Sequence, residues 1–276
     1  MIFNENTKLI ARVHSKPNAR GLNIYNPYFE ETKVNAAYIL FYNNTPQKLL
    51  DACRELEFVG LNTAGFETDP EFTKLITAFD DSSKLVGHIG YLKLENGKYK
   101  AYYQSGEGLL KAILSKFDVN DKELVVVGAG NVATSLIDTI RLKGLTPKKI
   151  TVVNRTLDKA KSLIKKVENI DAVLPISELK NVGGDILINA THIGGGAKDD
   201  IFSEQITNNF KGVVDVTFET ETTNLTNLAI QLKLPYVSGW DFFTFQGKVF
   251  LENVLGIEID EKILRRHVAN GLKATI

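Results

Sequence analysis

From about Lys122 onwards, segments typical of β-strands alternate with segments typical of helices, and this alternation constrains the fold more than any other feature. The short apolar runs with strand character are ELVVVG, KITVVN, DAVLP, DILINA, GVVDVTF and PYVSG. After the first run, Val132, Leu136 and Ile140 recur every fourth residue, which predicts a helix that ends near Gly144. Repeated strand–helix units connect by right-handed crossovers, so the strands lie parallel and helices cover both faces. This region is therefore predicted to be a doubly wound α/β domain of Rossmann type.

The first part of the chain is also predicted to be α/β, but its order of elements is less regular. AAYILFY and FVGLNT are predicted strands, Pro46 opens a helix, and Asp69-Pro70 opens another. Asn96-Gly97 lies between two segments of alternating residues, which is the strongest short-range signal for a β-hairpin.

The turn GAGNVA links the first predicted strand of the regular region to its first helix. The first glycine permits a tight turn, the second lets backbone approach a pyrophosphate, and the small alanine allows close helix–sheet packing. The N–H groups at the start of the helix face the phosphates. A dinucleotide is therefore predicted to bind here, although a purely structural turn remains the alternative. The predicted contacts are Gly128, Ala129, Gly130, Asn131, Val132 and Ala133.

The end of the second predicted strand determines which dinucleotide binds. Sites for NAD place Asp or Glu there to hold the ribose 2′-hydroxyl. This chain instead has Asn154, Arg155 and Thr156, with Lys159 one turn later. Two cations and a hydroxyl can hold a 2′-phosphate, so NADP is the predicted cofactor. The alternative is an exposed basic surface at the start of a helix.

Two further helices are predicted over residues 241–255 and 260–271, after the last strand. We expect them to pack against the first part of the chain. The predicted organisation is a substrate-binding domain over residues 1–104, completed by 241–276, and a dinucleotide-binding domain over 105–240.

Composition narrows the class of protein and its partners. Lys+Arg and Asp+Glu both total 33, so there is no electrostatic case for nucleic acid or an anionic membrane. The lone Cys53 excludes an internal disulfide and suits a reducing compartment. No apolar run has the length of a signal peptide or a membrane span, and no His/Cys/Asp cluster has metal-ligand spacing. We expect a cytoplasmic monomer or homodimer that binds a small-molecule substrate.

Several motifs together resemble those of the shikimate dehydrogenase family. GAGNVA resembles the family's glycine loop, and NRTLDKA its NADP-recognition segment. NATHIGGG resembles the segment beside the nicotinamide, so the resemblance implies cofactor contacts from Asn189, Thr191 and, further on, Gly239. DVTFETETTNL has the spacing of the family's Asp-x-x-Tyr-x-Pro-x-x-Thr-x-Leu, with Phe218 at the tyrosine position. GWDFFTFQGKVF places Gln246 where a substrate-contacting glutamine is expected.

The resemblance implies hydride exchange with nicotinamide and proton transfer by a Lys–Asp pair, and both ionisable residues of that pair are replaced. Counting from Asn62 along the family's first substrate motif places Thr68 at the lysine position. Ser105, the residue before Gly106, stands at the aspartate position. A Ser or Thr hydroxyl has a pKa far above the operating range and needs a base of its own to exchange protons.

Other positions of the family's substrate site have changed as well. Gly90-Tyr91 replaces an Asn-Thr before the hairpin, and Tyr103 replaces an Asn after it. The Ser-x-Ser that would hold a carboxylate aligns without gaps with Ala19-Arg20-Gly21, whereas an alignment with an insertion matches His14-Ser15. We therefore predict a substrate other than shikimate. The predicted substrate-binding residues are Asn62, Tyr103, Phe218 and Gln246.

Two functions remain open at this point. The first is an NADP-dependent oxidoreductase that acts on a small cyclic hydroxy or oxo acid, with His88 or His14 in place of the lost base. Either histidine can equally be a structural or surface residue. The second is an NADP-binding protein that no longer catalyses and serves sensing or interaction. A proton-transfer group beside the nicotinamide would distinguish the two.

Overall fold

The chain divides into two compact units. Met1–Gln104 and Gly247–Ile276 form the first unit, and Ser105–Gln246 forms the second. The second boundary therefore lies beyond the expected limit at residue 240. The computed structural model describes residues 4–14, 19–42, 45–63, 66, 69–194 and 200–274, with only the backbone at His14.

The first unit is built on a mixed six-stranded sheet. Its strands are β1 (Lys8–His14), β2 (Ala36–Tyr42), β3 (Gly60–Asn62), β4 (Ala78–Phe79), β5 (Tyr91–Glu95) and β6 (Lys98–Tyr102), in the order β2-β1-β3-β5-β6-β4. β1 is parallel to β2 and β3, whereas β5 is antiparallel to β3 and β6. The helices that precede residue 105 are α1 (Arg20–Thr32), α2 (Pro46–Glu55), α3 (Pro70–Lys74) and α4 (Asp81–Val86).

The local signals predicted for this unit are confirmed. Asn96 and Gly97 have φ angles of 50° and 73° and join β5 to β6 in an antiparallel hairpin. α2 begins at Pro46. The Asp69 side chain caps α3 by accepting a hydrogen bond from the Glu71 N–H at 2.8 Å. The residue types at these three sites favour the observed conformations, so the local sequence was sufficient to predict them.

β1 and α1 are elements that the sequence analysis did not predict. β1 lies inside the sheet, and the fully buried Ile10, Ala11 and Val13 give it no polar alternation. α1 contains Pro27, a residue that usually ends or kinks a helix. Asn26 joins α1 to β2, since its side chain accepts a hydrogen bond from the Tyr38 N–H at 2.8 Å and donates one to the Tyr38 carbonyl at 2.9 Å.

The second unit has a parallel six-stranded sheet. Its strands are β7 (Glu123–Val127), β8 (Lys149–Asn154), β9 (Ala172–Pro175), β10 (Ile186–Asn189), β11 (Gly212–Asp215) and β12 (Tyr236–Val237), in the order β12-β11-β10-β7-β8-β9. The helices are α5 (Ser105–Leu114), α6 (Asn131–Leu142), α7 (Leu157–Ile164), the 3₁₀ turn Ile176–Asn181, α8 (Glu204–Thr207) and α9 (Asn224–Gln231). This strand order is that of a Rossmann domain, so the predicted fold class is confirmed.

Two helices close the chain, as predicted. α10 (Gly239–Leu255) runs through the boundary between the units, and α11 (Glu261–Lys273) belongs to the first unit. α11 packs on α1, where a Cβ at Gly271 would lie 2.4 Å from the Ile24 side chain. Glu31 on α1 pairs with Arg266 and His267 on α11.

Two properties of the described residues bear on function. None of their helices combines the length and apolar character needed to cross a bilayer. Their His, Cys, Asp and Glu side chains also form no group of three or more that could hold a metal ion.

Candidate functional site

The glycine loop begins where β7 ends. Gly128 has a φ of 113°, which favours glycine, and its N–H donates a hydrogen bond to the Val153 carbonyl at 2.8 Å. A Cβ at this position would lie 2.7 Å from the Thr191 methyl group. Backbone conformation and space therefore both require glycine at residue 128.

Gly130 is under no such requirement. Its φ of −91° and ψ of −172° are extended values that any residue adopts, and a Cβ would meet no atom of the described chain within 4 Å. Ala133, in the first turn of α6, is fully buried. The fold thus explains the small residue at 133, whereas the free space beside Gly130 is available to a ligand.

A pocket joins the start of α6 to α7. Its lining includes Ala129, Asn131, Thr134, Asp158, Lys159 and Ser162. The N-cap residue of α6 is Gly130, which has no side chain that could accept a hydrogen bond from the N–H groups of the first turn. Open N–H groups and the helix dipole make such a turn a favourable position for an anion.

The segment after β8 leads into α7, whose Asp158 and Lys159 line this pocket. The Asn154 amide donates a hydrogen bond to the Thr156 carbonyl at 2.7 Å, which holds the turn that leads into α7. Arg155, Thr156 and Lys159 are exposed. The carboxylate of Asp158, which no sequence motif singled out, lies in the same pocket as Lys159.

The loop after β10 is held by a buried network around Asn189. Its side-chain amide donates to Asp215 Oδ1 at 3.0 Å and to the Ile193 carbonyl at 2.9 Å. Its oxygen accepts hydrogen bonds from the Thr191 N–H and from the Thr191 hydroxyl, the latter at 2.6 Å. Because Asn189 is fully buried and its polar atoms are engaged, it shapes the loop through its own hydrogen bonds.

Asp215 completes this network from the end of β11. Oδ1 also accepts a hydrogen bond from the Thr217 N–H at 3.0 Å, and Oδ2 accepts one from the Thr223 hydroxyl at 2.7 Å. Burial raises the pKa of the Asp215 carboxyl, and these hydrogen bonds act in the opposite direction. This role of Asp215 does not follow from the local sequence, because Asn189 and Asp215 lie on two different strands, β10 and β11.

Gly239 has a packing reason for being glycine. A Cβ there would lie 1.8 Å from the Thr217 carbonyl oxygen and 2.7 Å from the Phe218 nitrogen. The start of α10 therefore passes directly over the backbone that follows β11. The Trp240 indole N–H donates to the Phe218 carbonyl at 3.2 Å, and the Phe218 ring packs on Phe243 with centroids 5.0 Å apart.

Ser105 and Gln246 meet at the start of α5. The Gln246 amide donates a hydrogen bond to Ser105 Oγ at 2.7 Å. Ser105 is 5% exposed. A Cβ on Gly108 would lie 2.8 Å from the Gln246 Cα, so α10 crosses α5 closely at this point. Neither side chain ionises in the ordinary pH range.

Comparison with known proteins shows which proteins this chain resembles. A family model described as shikimate / quinate 5-dehydrogenase matches residues 109–209. The shikimate dehydrogenase (NADP(+)) of Methanobrevibacter smithii is 28% identical, with 96% of this chain and 99% of that protein aligned. The chain is similar to shikimate dehydrogenases over nearly its whole length.

Solved structures of related proteins share the fold over nearly the whole chain. A shikimate dehydrogenase in complex with NADP+ superposes with a TM-score of 0.80 at 24% identity, covering 98% of both chains. The ligand-free 5-ketofructose reductase of Gluconobacter sp. strain CHM43 superposes with a TM-score of 0.78 at 20% identity, covering 97% of this chain and 99% of that one.

The structure describes only one of the two positions at which shikimate dehydrogenases have their acid–base pair. Ser105 stands at the aspartate position and is engaged by Gln246. Thr68, at the lysine position, lies outside the described residues, and so does the side chain of His14, the second candidate base. Of the sequence-predicted candidates for proton transfer, the structure therefore places the side chain of His88.

His88 lies against one of the predicted substrate residues. Its ring makes an edge-on contact with Tyr103, with centroids 5.4 Å apart. His88 is half-buried and Tyr103 is 8% exposed. Asn62, at the end of β3, is half-buried and lies in register between Arg12 and Tyr91 of the neighbouring strands.

The position of the family's Asn before the hairpin is occupied differently. A Cβ at Gly90 would lie 2.1 Å from Gln104 Oε1 and 3.1 Å from the Tyr102 carbonyl oxygen. Gln104 Oε1 is buried and finds no hydrogen-bond donor among the described residues. The Gln104 amide therefore occupies the space that a side chain at position 90 would need.

Proposed function

We propose that this protein is an NADP-dependent oxidoreductase that transfers hydride between NADP(H) and a small cyclic hydroxy or oxo acid other than shikimate. The observation that carries the proposal is the pocket that runs from the open first turn of α6 to Lys159 on α7. The start of α6 would hold the pyrophosphate, and Lys159 would lie near the 2′-phosphate of a bound dinucleotide.

The residues around this pocket suit NADP. The backbone from Gly128 to Gly130 and the first N–H groups of α6 would hold the pyrophosphate, in the free space beside Gly130. Arg155, Thr156 and Lys159 would hold the 2′-phosphate through charge-assisted hydrogen bonds. The M. smithii relative is named as an NADP(+) enzyme and one fold neighbour was crystallised with NADP+, which supports NADP over NAD.

NADP, when bound, supplies hydride exchange at its nicotinamide ring. The loop after β10 would face that ring, and Asn189 keeps the loop in one conformation through its contacts with Asp215 and Thr191. Because these contacts are buried, the loop would not have to reorganise during the reaction. His88 is the candidate for moving the proton at the substrate hydroxyl.

The changed residues favour a substrate other than shikimate. Gly90, Tyr103 and Ser105 replace three polar positions of the family's substrate site, and Gly90 leaves no side chain to hydrogen-bond a ring hydroxyl. The 5-ketofructose reductase shares this fold. One fold can carry different substrate sites, which are set by local residues.

A second candidate function has one observation in its favour. Ser105 stands at the position of the family's catalytic aspartate and accepts a hydrogen bond from Gln246. Neither side chain exchanges protons at neutral pH. A protein that binds NADP for sensing or interaction, without catalysis, would carry such a pair.

The test measures NADPH oxidation with cyclic oxo acids and NADP+ reduction with the corresponding hydroxy acids. We expect turnover with at least one acid and a loss of about 10²–10⁴ in kcat for His88→Gln, the usual contribution of a general acid–base group. The matched control is His267→Gln, which should keep full activity. His267 lies on α11 and pairs with Glu31 on α1. Tight NADP binding without any turnover would favour the second candidate, and absence of NADP binding would overturn both.

A further inference from the structure

The loop after β10 carries a histidine that has no part in the proton transfer assigned to His88. His192 lies between two residues that hydrogen bonds hold in place. The Ile193 N–H donates to the Thr191 hydroxyl at 3.0 Å, and the Ile193 carbonyl accepts a hydrogen bond from the Asn189 amide at 2.9 Å. The Thr191 N–H donates to the Asn189 side-chain oxygen at 3.2 Å. The backbone at His192 is therefore fixed on both sides.

This loop adjoins the glycine loop after β7. The Ala190 N–H donates a hydrogen bond to the Val127 carbonyl at 2.9 Å. A Cβ at Gly128 would lie 2.7 Å from the Thr191 methyl group and 3.0 Å from the Ala190 carbonyl oxygen. His192 is the next residue, its side chain is exposed, and no described residue forms a hydrogen bond or an ion pair with it. The imidazole is therefore open to a ligand that binds across the glycine loop.

The strand order determines which half of a dinucleotide would reach His192. β7 lies between β8 and β10 in the sheet. Dinucleotides bind across the carboxyl ends of the strands, with the pyrophosphate on the glycine loop. In the proposed function, Arg155 and Lys159 hold the 2′-phosphate on the β8 side. The nicotinamide half would then lie on the β10 side, where the loop carries His192.

The two oxidation states of the cofactor differ in charge at this half of the molecule. The oxidised nicotinamide ring carries a positive charge that the reduced ring lacks, whereas the phosphates are the same in both. Histidine is the side chain whose charge ordinarily changes between pH 5 and 8. A protonated imidazole near the ring repels the oxidised form and does not repel the reduced form, because like charges raise the energy of the complex.

The other titratable groups around this loop are carboxyls, which attract the oxidised ring when they are ionised. Among the described residues they are Asp200 after the same loop, Asp215 at the end of β11, Glu219 and Glu221 beyond it, and Asp241 on α10. Burial raises the pKa of the Asp215 carboxyl. Its protonation would therefore also weaken binding of the oxidised form as the pH falls. Substitution of the histidine has to separate the two sources.

We propose that His192, when protonated, discriminates against NADP+ and thereby sets which oxidation state of the cofactor the protein holds. The inference rests on the proposed function, which supplies the position of NADP, and it adds a residue that distinguishes NADPH from NADP+. Retention of NADPH at acidic pH favours reduction of an oxo acid over oxidation of a hydroxy acid.

The test measures the dissociation constants of NADP+ and NADPH by isothermal titration calorimetry on the whole chain, at pH 6.0 and at pH 8.5 and low ionic strength. The ratio of the two constants cancels titration of the 2′-phosphate, which both ligands carry. We expect Kd(NADP+)/Kd(NADPH) to be about three- to tenfold larger at pH 6.0 than at pH 8.5. His192→Gln should remove this change. His192→Lys should keep the ratio high at both pH values.

The matched control is His267→Gln in the first unit, which should show the same pH dependence as the natural protein. A ratio that does not change with pH in the natural protein would overturn this inference and leave the oxidoreductase proposal standing. A change that survives in His192→Gln would assign the effect to the carboxyls, Asp215 above all, and would overturn it as well. Absence of binding by both ligands would instead refute the proposed function.

Discussion

Gln246 donates a hydrogen bond to Ser105 Oγ at 2.7 Å, so the glutamine expected to contact substrate also engages the position of the family's catalytic aspartate. Ser105 is buried and Gln246 is partly buried. The pair provides a fixed polar contact where the family has an ionisable group, and it offers no route for a proton.

From this pair we predict that shikimate is oxidised very slowly or not at all with NADP+. The double variant Thr68→Lys with Ser105→Asp is also expected to stay inactive. Gly90 and Tyr103 no longer hold the ring hydroxyls, and a base without an aligned substrate contributes little. Steady-state kinetics on the natural protein and the double variant measures both. A kcat near the enzyme median of about 10 s⁻¹ in either protein would contradict the prediction.

The second prediction concerns the choice of cofactor. Arg155 and Thr156 follow the end of β8, and Lys159 lies on α7 in the same pocket as the Asp158 carboxylate. We expect NADP+ to bind at least about tenfold more tightly than NAD+, which corresponds to about 1.4 kcal/mol. Arg155→Ala should remove most of this preference, whereas Arg54→Ala on α2 should leave it intact. Calorimetry that finds equal affinity for the two cofactors would refute the assignment.

The third prediction separates binding from folding within the glycine loop. Gly130→Val should abolish NADP binding with little change in Tm, because its backbone angles suit any residue and the added methyl groups enter ligand space. Gly128→Ala should instead lower the free energy of unfolding by about 1–3 kcal/mol, through its positive φ and its contact with Thr191. Normal NADP binding by Gly130→Val would mean that the loop is only a structural turn.

The fourth prediction concerns the buried Asp215 carboxyl, whose pKa burial raises above the usual 3.8. The folded state then holds this proton more tightly than the unfolded chain. Its stabilising contribution is present at low pH and is lost as the pH rises through the folded pKa. Asp215→Asn resembles the protonated form. Its free energy of unfolding, relative to the natural protein, should therefore increase from about pH 4 towards neutrality.

Urea unfolding over this pH range measures the effect, and Asp185→Asn provides a control of opposite sign. A hydrogen bond from Lys211 lowers the pKa of the Asp185 carboxyl, so its contribution is present near neutrality and is lost as the pH falls. Asp185→Asn should therefore be most destabilising at neutral pH. A stability difference for Asp215→Asn that stays constant with pH would argue against the raised pKa.

Local patterns predicted the second unit well. The strands β7 to β12 and the hairpin at Asn96-Gly97 follow from apolar runs and turn residues, because these signals act over a few neighbouring residues. β1 and α1 were missed for a physical reason. A strand inside a sheet shows no alternation, and Pro27 contradicts a helix locally, yet packing in the first unit stabilises both.

For the candidate site, the sequence by itself determined the residue types: a glycine loop, a strand end without a carboxylate, and a substrate motif without its ionisable pair. Only the tertiary structure decided which of these residues meet. Ser105 accepts a hydrogen bond from Gln246, and Gln104 fills the space beside Gly90. Such pairings join residues that are distant along the chain, and they depend on strand register and helix crossings. These are set by burial of the whole core, which no local pattern encodes.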